Sequence, residues 1–410
     1  MGPRLIIPRS EAEILKSVDG WILVYGRRKT GKTFLIRNFI EFDSYYFVTR
    51  SIEVFSYNKE LEKISYEVFM DRMRREIREE KTIVVDEFQR LPQEFLDFLH
   101  FAKSFAKAKL ILVGSSFNFT NRILSSGSPI LGIVYPVKLG LIKPRDVLAA
   151  LSKYYEPNEA LLLSSILRDP VIVEDLQPGE SINEFLRRVI PKIRVTVRSL
   201  IGEIFDEEGR ELSQRYEAIL RAVAAGCKRP SEVASHISGI LRTPLKSQDV
   251  KKYLRNLVEM GILRRIKILG RDAHFYFMES PIIDMYYYLD LKTGFSEVNV
   301  PVDVLVSHIE RKLPLYYEMF IVDLLADAYG CEVVKSFHPE VDGILIRGKE
   351  AVAAVEVKMG TVSKADVKRF IEKTRDISDR RIVIARNKIS EKNVECLTPS
   401  ELLEIVRAKN

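Results

Sequence analysis

The stretch Gly26-Arg27-Arg28-Lys29-Thr30-Gly31-Lys32-Thr33 lies between an apolar run at 22–25 and a helix-like apolar run at 34–40. Strand, glycine turn and helix in that order give a G-x-x-x-x-G-K-T phosphate loop its proper setting. The glycines let the backbone curl so that successive N–H groups converge on phosphate oxygens. Lys32 reaches the β- and γ-phosphates, and Thr33 offers a hydroxyl to Mg²⁺. Residues 26–33 therefore predict a site for a nucleoside triphosphate.

Downstream, short apolar runs at 45–49, 82–85, 110–113 and 133–139 alternate with helical patterns at 62–80 and 94–106. Strands alternating with helices predict an α/β fold with a doubly wound parallel sheet. The run at 82–85 leads into Asp86-Glu87, at the carboxyl edge where such sheets bind ligands. Phosphoryl transfer asks a protein mainly to position groups and neutralise charge. Asp86 is placed to help hold Mg²⁺, and Glu87 to orient or deprotonate the attacking water. The run at 110–113 ends in Gly114-Ser115-Ser116, where Ser115 can sense the γ-phosphate or the lytic water.

A length of 410 residues predicts two to four domains. There is no uncharged apolar stretch of about 18 residues, and the start Met1-Gly2-Pro3-Arg4 is charged too soon for a secretory signal. The chain is expected to be soluble and cytoplasmic, with no membrane partner. Cys227, Cys331 and Cys396 are far apart, and His100, His236, His274, His308 and His338 are scattered, so neither disulfides nor a zinc site are expected. A net charge of +7 with 30% charged residues admits nucleic acid without requiring it. Abundant Glu, Lys and Arg suit a heat-adapted source.

Residues 26–33, the segment Asp86-Glu87-Phe88-Gln89 with Leu91-Pro92, and residues 110–116 resemble archaeal AAA-type ATPases that carry a winged helix and a C-terminal restriction-endonuclease-like domain. That resemblance implies ATP and Mg²⁺ as cofactors, ATP hydrolysis, and DNA as a partner. Pro8-Arg9-Ser10-Glu11 resembles a shortened form of the family's base-contacting segment. Where the family carries Pro-Leu-x-Gly-Arg, this chain has Pro129-Ile130-Leu131-Gly132-Ile133, and Arg168-Asp169-Pro170 stands in place of a Gly-Gly-x-Pro element. Arg122 and Arg168 are the substitutes considered for the missing arginine finger. The resemblance implies self-association into a ring, and the missing arginine leaves a monomer or loose oligomer open.

The expected organisation is a P-loop ATPase core at 1–140, a helical lid at 141–208, a winged helix at 209–290 and a restriction-endonuclease-like domain at 300–410. In the third segment, helical patterns at 216–225, 231–237 and 247–260 precede two strand-like runs around a Gly270-Arg271-Asp272 turn. Lys246, Lys251, Lys252, Arg255, Arg264, Arg265, Lys267 and Arg271 would give its exposed side positive charge for a DNA backbone, or else form a solvated face. The aromatic groups at 275–277 and 286–288 read as core packing.

In the last segment a helical run at 315–328 carries Glu318, a strand-like run begins at Asp342, and a second strand ends in Glu356-Val357-Lys358. Strand alternation sets Glu356 and Lys358 on one face. Asp342 and Glu356 can hold Mg²⁺ or Mn²⁺ while Lys358 steadies the nucleophile or the transition-state charge. The pattern resembles the D…E-x-K core of the restriction-endonuclease-like superfamily, in which Glu318 matches an extra metal-binding glutamate. Two functions follow as expectations: an ATPase whose nucleotide state governs a DNA-cleaving domain, or a slow ATP-dependent switch or scaffold that cuts nothing. A small-molecule kinase is disfavoured by the Asp86-Glu87 pair.

Overall fold

The computed structural model describes residues 5–57, 60–241 and 244–407; the first four and last three residues of the expected terminal domains lie outside it. Two compact units emerge. The smaller comprises Pro8–Leu141 with Leu200–Glu211, and the larger Ile142–Ser199 with Leu212–Asn410 and Met1–Ile7. Among the described residues no helix is long and apolar enough to cross a membrane.

The smaller unit runs α1 (Glu11–Ser17), β1 (Trp21–Tyr25), α2 (Lys32–Phe39), β2 (Ser44–Val48), β3 (Val54–Tyr57), β4 (Leu61–Ile64), α3 (Tyr66–Glu76), β5 (Thr82–Asp86), α4 (Gln93–Ala102), β6 (Lys109–Gly114), α5 (Phe117–Ile123) and β7 (Tyr135–Lys138). Its sheet has the order β4-β3-β2-β5-β6-β1-β7. Five strands, β2, β5, β6, β1 and β7, pair in parallel as expected. Residues along β1 alternate between two cores. Trp21 and Leu23 join Phe69, Phe95 and Leu99 on one face, and Ile22 and Val24 join Leu15, Leu35 and Ile36 on the other. Burial on both faces is what a parallel sheet requires.

Two readings of this region need correction. The sheet is mixed, because β3 and β4 extend it in antiparallel fashion. The helix expected over 62–80 starts only at Tyr66, after Ser65 accepts the cap hydrogen bond from the Val68 N–H. Residues 61–64 are a strand whose side chains are mostly exposed, so backbone pairing with β3 decides its conformation and leaves no burial pattern to read. Pro136 lies in β7, an edge strand, where a missing N–H is tolerated.

The larger unit contains α6 (Pro144–Leu151), α7 (Pro157–Ile166), the first part of α8 (Ile182–Glu207), α9 (Gln214–Ala224), α10 (Pro230–Leu241), α11 (Ser247–Glu259), β8 (Leu263–Ile268), β9 (His274–Met278), α12 (Pro281–Thr293), α13 (Val302–Glu310), α14 (Leu313–Tyr329), β10 (Glu332–Lys335), β11 (Gly343–Arg347), β12 (Glu350–Val357), α15 (Lys364–Lys373), β13 (Arg381–Ile384), β14 (Glu395–Leu397) and α16 (Pro399–Arg407). A second seven-stranded sheet has the order β14-β13-β12-β11-β10-β8-β9. The hairpin β8–β9 joins it through parallel pairing of β8 with β10, where Val334 faces Lys267. The boundary expected between 209–290 and 300–410 is thus crossed by one continuous sheet.

The expected lid at 141–208 is not one body either. Residues 142–199 belong to the larger unit, where α6 and α7 pack on α14 and α16, and only 200–208 fall in the smaller. A partly buried ion cluster fastens the former. Asp323 on α14 accepts from Arg168 at 2.8 Å and from both ends of Arg264 at 2.6 and 2.9 Å. Burial alone would raise the Asp323 pKa, but the two guanidiniums hold it below the usual carboxylate range. Arg264, expected on an exposed cationic face, is instead committed to this cluster.

Removing Asp323 leaves two poorly solvated guanidiniums without their partner. Asp323→Ala should therefore cost about 3 kcal/mol or more. The only tryptophan, Trp21, lies in the smaller unit. In urea unfolding of the full chain, circular dichroism should show an earlier transition while Trp21 fluorescence keeps its midpoint.

Candidate functional site

Three strand ends build the first site. β1 leads into the loop at 26–31, β5 ends at Asp86 and β6 ends at Gly114, with Tyr25 in register with Gly114 and Asp86 with Val113. The loop needs both its glycines. A Cβ on Gly26 would lie 2.0 Å from the Leu139 carbonyl oxygen, and Gly31 sits at φ 84° as the N-cap of α2. The buried Arg9 braces the loop from outside, donating to the Thr30 carbonyl at 2.8 Å and to the Gly140 and Leu141 carbonyls while pairing with Glu11. The guanidinium of the expected base-contacting segment thus serves the loop backbone.

Lys32 is buried and donates to the Gly26 and Arg27 carbonyls, each at 2.9 Å. Burial pushes its pKa down to about 8, against the opposing pull of Glu87 and Asp86. Asp86 accepts from the Thr33 hydroxyl at 2.7 Å, from the Tyr45 hydroxyl at 2.5 Å and from the Glu87 N–H at 2.9 Å. Thr33 and Asp86 thus set two hard oxygens side by side, a donor set suited to Mg²⁺. When bound, the ion would neutralise phosphate charge.

Glu87 adopts φ 59°, a left-handed conformation uncommon for a residue with a side chain. Its carboxylate pairs with Arg90 at 2.9 Å and accepts from Gln89 at 2.9 Å. Burial raises its pKa, with Glu207 and Asp86 acting the same way and Arg90 opposing. An acid raised in this manner is suited to taking a proton. Ser115 lies 3.4 Å from Glu87 and donates to Glu207 at 2.8 Å.

The structure thus gathers Lys32, Thr33, Asp86, Glu87 and Ser115 as expected, and adds Tyr45, Gln89, Glu203 and Glu207. Arg28 and Lys29 of the loop pair with Glu203 and Glu207 rather than lying open. Of the two arginines considered as fingers, Arg168 is bound to Asp323, and Arg122 lies 4.9 Å over the Phe119 ring.

The second expected site is in the larger unit. Asp342 precedes β11, Glu356 lies near the end of β12 and Lys358 follows it. A Cβ on Gly343 would come within 2.4 Å of Val322, so glycine lets β11 approach α14 closely, one turn from Glu318. Asp342 accepts from the Val357 N–H at 2.7 Å; Glu356 pairs with Lys358 at 2.8 Å and Lys373 at 3.2 Å. Burial pushes the Asp342 pKa up to about 6, with Glu318 and Glu356 adding to the rise. Glu318, however, is turned to Lys335 at 2.6 Å. Among the described residues no three acidic, His or Cys side chains gather to hold a metal ion. The expected metal set of Glu318, Asp342 and Glu356 is therefore not closed, since a lysine competes for one member.

Residues 19–128 match the AAA_14 family model, described as an AAA domain. Those residues are similar to AAA domains. No curated protein matches the chain in sequence. Among solved structures, the Walker-type ATPase PABY2304 of Pyrococcus abyssi is similar at 17% identity over 70% of this chain and 98% of that one, with a TM-score of 0.51. That likeness is one of fold. Looser overlaps occur with ORC2 of Aeropyrum pernix in ADPNP–ADP complexes (13% identity, 76% and 95% covered, TM-score 0.38) and with ORC1 of the same organism in complex with DNA (13%, 72% and 95%, TM-score 0.31). The loop at 26–33 lies within the segment that matches the AAA domain model.

The lowered pKa of Lys32 has a sign that can be measured. Phosphate binding favours the ammonium form, so above about pH 8 the free protein must take up a proton to bind ATP. Affinity should fall by up to about tenfold per pH unit above that point. Calorimetry in two buffers of different ionisation heat should register proton uptake at pH 9 that Lys32→Ala, itself binding ATP poorly, does not show.

Proposed function

We propose that the chain hydrolyses ATP and that its nucleotide state controls a larger unit that binds DNA and carries a metal-dependent DNA-cleaving site. The observation that carries this reading is the sharing of one sheet between the hairpin β8–β9 and the strands β11, which Asp342 precedes, and β12, which bears Glu356. A surface that grips DNA and a site that cuts it would then move together. Helices α9, α10 and α11 pack on one another ahead of the hairpin, the order of a winged helix. Lys246, Lys251, Lys252, Arg255, Arg265, Lys267 and Arg271 are exposed on this segment, where they suit phosphates.

In the ATPase domain the loop N–H groups and Lys32 bind the phosphates, Thr33 and Asp86 hold Mg²⁺, and Glu87 takes the proton of the attacking water. At the second site Asp342 and Glu356 hold a divalent cation. Burial raises the Asp342 pKa and the charges of Glu318 and Glu356 add to the rise; a cation there would offset both. Lys358 steadies the developing charge. A second reading, a slow ATP-dependent switch or scaffold without nuclease activity, is favoured by Lys335 on Glu318 and by Ile133 where the family carries an arginine.

Cleavage of branched and linear DNA, assayed with Mg²⁺ and with or without ATP, separates the two readings. Asp342→Ala should abolish cleavage and leave ATP turnover intact. Glu87→Gln should lower turnover by roughly a hundredfold or more. Parental cleavage that persisted in Asp342→Ala would remove the second site; an absence of parental cleavage favours the switch.

A further inference from the structure

The last turn of α8 and the residues after it form the part of the smaller unit most distant in sequence from the phosphate loop, yet they meet it through charge. Glu207 accepts from Ser115 at 2.8 Å and Gln89 at 2.9 Å through one oxygen, and from Arg28 at 3.0 Å through the other. Glu203 accepts from Arg28 at 2.8 Å and from Lys29 at 2.7 Å. Glu208 takes the Phe117 N–H at 2.6 Å, at the start of α5. None of these glutamates belongs to a motif that the sequence marks.

Their placement is electrostatically awkward without the loop. A helix C-terminus carries partial negative charge and favours cations, but the last turn of α8 has no basic residue and ends in Asp206 and Glu207, with Glu208 next in the chain. The loop cations and the Ser115 and Gln89 donors compensate that charge. Burial would raise the Glu207 pKa, yet Ser115, Gln89 and Arg28 hold it below the usual range, so the group is an anion. Its charge also reaches Lys32 and Glu87. An anionic carboxylate held by a serine hydroxyl and an amide N–H at one oxygen and a guanidinium at the other, beside the phosphate-loop lysine, makes contacts of the kind a terminal phosphate group makes.

We infer that Glu207 competes with the γ-phosphate of ATP for Ser115, Gln89 and Arg28, so that ATP, but not ADP, releases the end of α8 from the ATPase domain. The inference rests on the reading of residues 26–33 as the ATP site. Two anions cannot share these donors: phosphate oxygens that take Arg28 and Ser115 leave Glu207 and Glu203 facing like charge, and the helix end loses its compensation. ADP lacks the group that makes the competing contacts. Residues of α8 up to Ser199 belong to the larger unit and those from Leu200 to the smaller, so release at Glu207 acts on the one helix the two units share. Glu207 is here a residue that sets nucleotide preference, distinct from Glu87, which pairs with Arg90.

Binding of ADPNP and ADP to the full chain, measured by calorimetry at fixed salt, tests this directly. Glu207→Gln keeps the side-chain shape and removes the charge; it should tighten ADPNP by about tenfold and change ADP by less than twofold. Hydrogen exchange in the parent should show residues 200–211 losing protection with ADPNP and keeping it with ADP. An unchanged or weakened ADPNP affinity in Glu207→Gln, or equal protection with both nucleotides, overturns the inference. Lys32→Ala separates this from failure of the underlying reading: if it binds both nucleotides as the parent does, residues 26–33 are not the ATP site. If it loses both while Glu207→Gln leaves their ratio unchanged, only the competition is wrong.

Discussion

Parallel strands buried on both faces can present chemistry only at their ends, and the smaller unit is built on that constraint. β1, β5 and β6 are apolar for most of their length, and their register brings residues 26, 86 and 115 out at one edge. The cost is crowding of charge where little water reaches. Lys32, Asp86, Glu87 and Glu207 share a small volume; Lys32 donates to the loop carbonyls, Asp86 takes Thr33 from α2 and Tyr45 from β2, and Glu87 and Glu207 share Gln89 after β5, with Ser115 after β6 also serving Glu207. Each acid draws its donors from more than one element, so the site depends on the whole sheet edge.

The sequence made the parts of this edge legible unequally. Gly26, Lys32 and Thr33 are fixed by local geometry, since loop, strand and helix lie within a few residues, and Asp86-Glu87 follows an unbroken apolar run. Glu207 had no such signal. It lies far along the chain on an amphipathic helix rich in charge, and only the tertiary course of α8 brings it to Ser115. The strand at Leu61–Ile64 failed for a related reason: an edge strand with exposed side chains is held by backbone bonds to its neighbour, which leave no pattern in the side chains.

In the larger unit the local pieces were readable and their assembly was not. A hairpin after α11 and a pair of strands around Gly348 can each be read alone, but β10 is a four-residue strand between them, and it is β10 that joins β8 to β11. Two segments taken as separate domains therefore share a sheet. Gly343 shows the same limit: a glycine after an acid reads as a turn, whereas in the fold it admits Val322 of α14. Lys335, brought in by β10, pairs with Glu318, and no pattern around the acids in the sequence points to it.

The same chemistry produces opposite mechanical outcomes in the two units. Asp323 with Arg168 and Arg264, and Glu207 with Arg28, are both carboxylate–guanidinium pairs with little exposure to water. In the first, two guanidiniums converge on one carboxylate and the neighbouring Glu279 stands farther off, 4.0 Å from Arg264, so the cluster acts as a fixed rivet for α14, β8 and the segment after α7. The second lies on a loop shaped to receive phosphates, where a competing anion is the expected guest. An ion pair is permanent or switchable according to whether its neighbourhood can supply a better partner, and α8 carries only the switchable kind where it enters the ATPase domain.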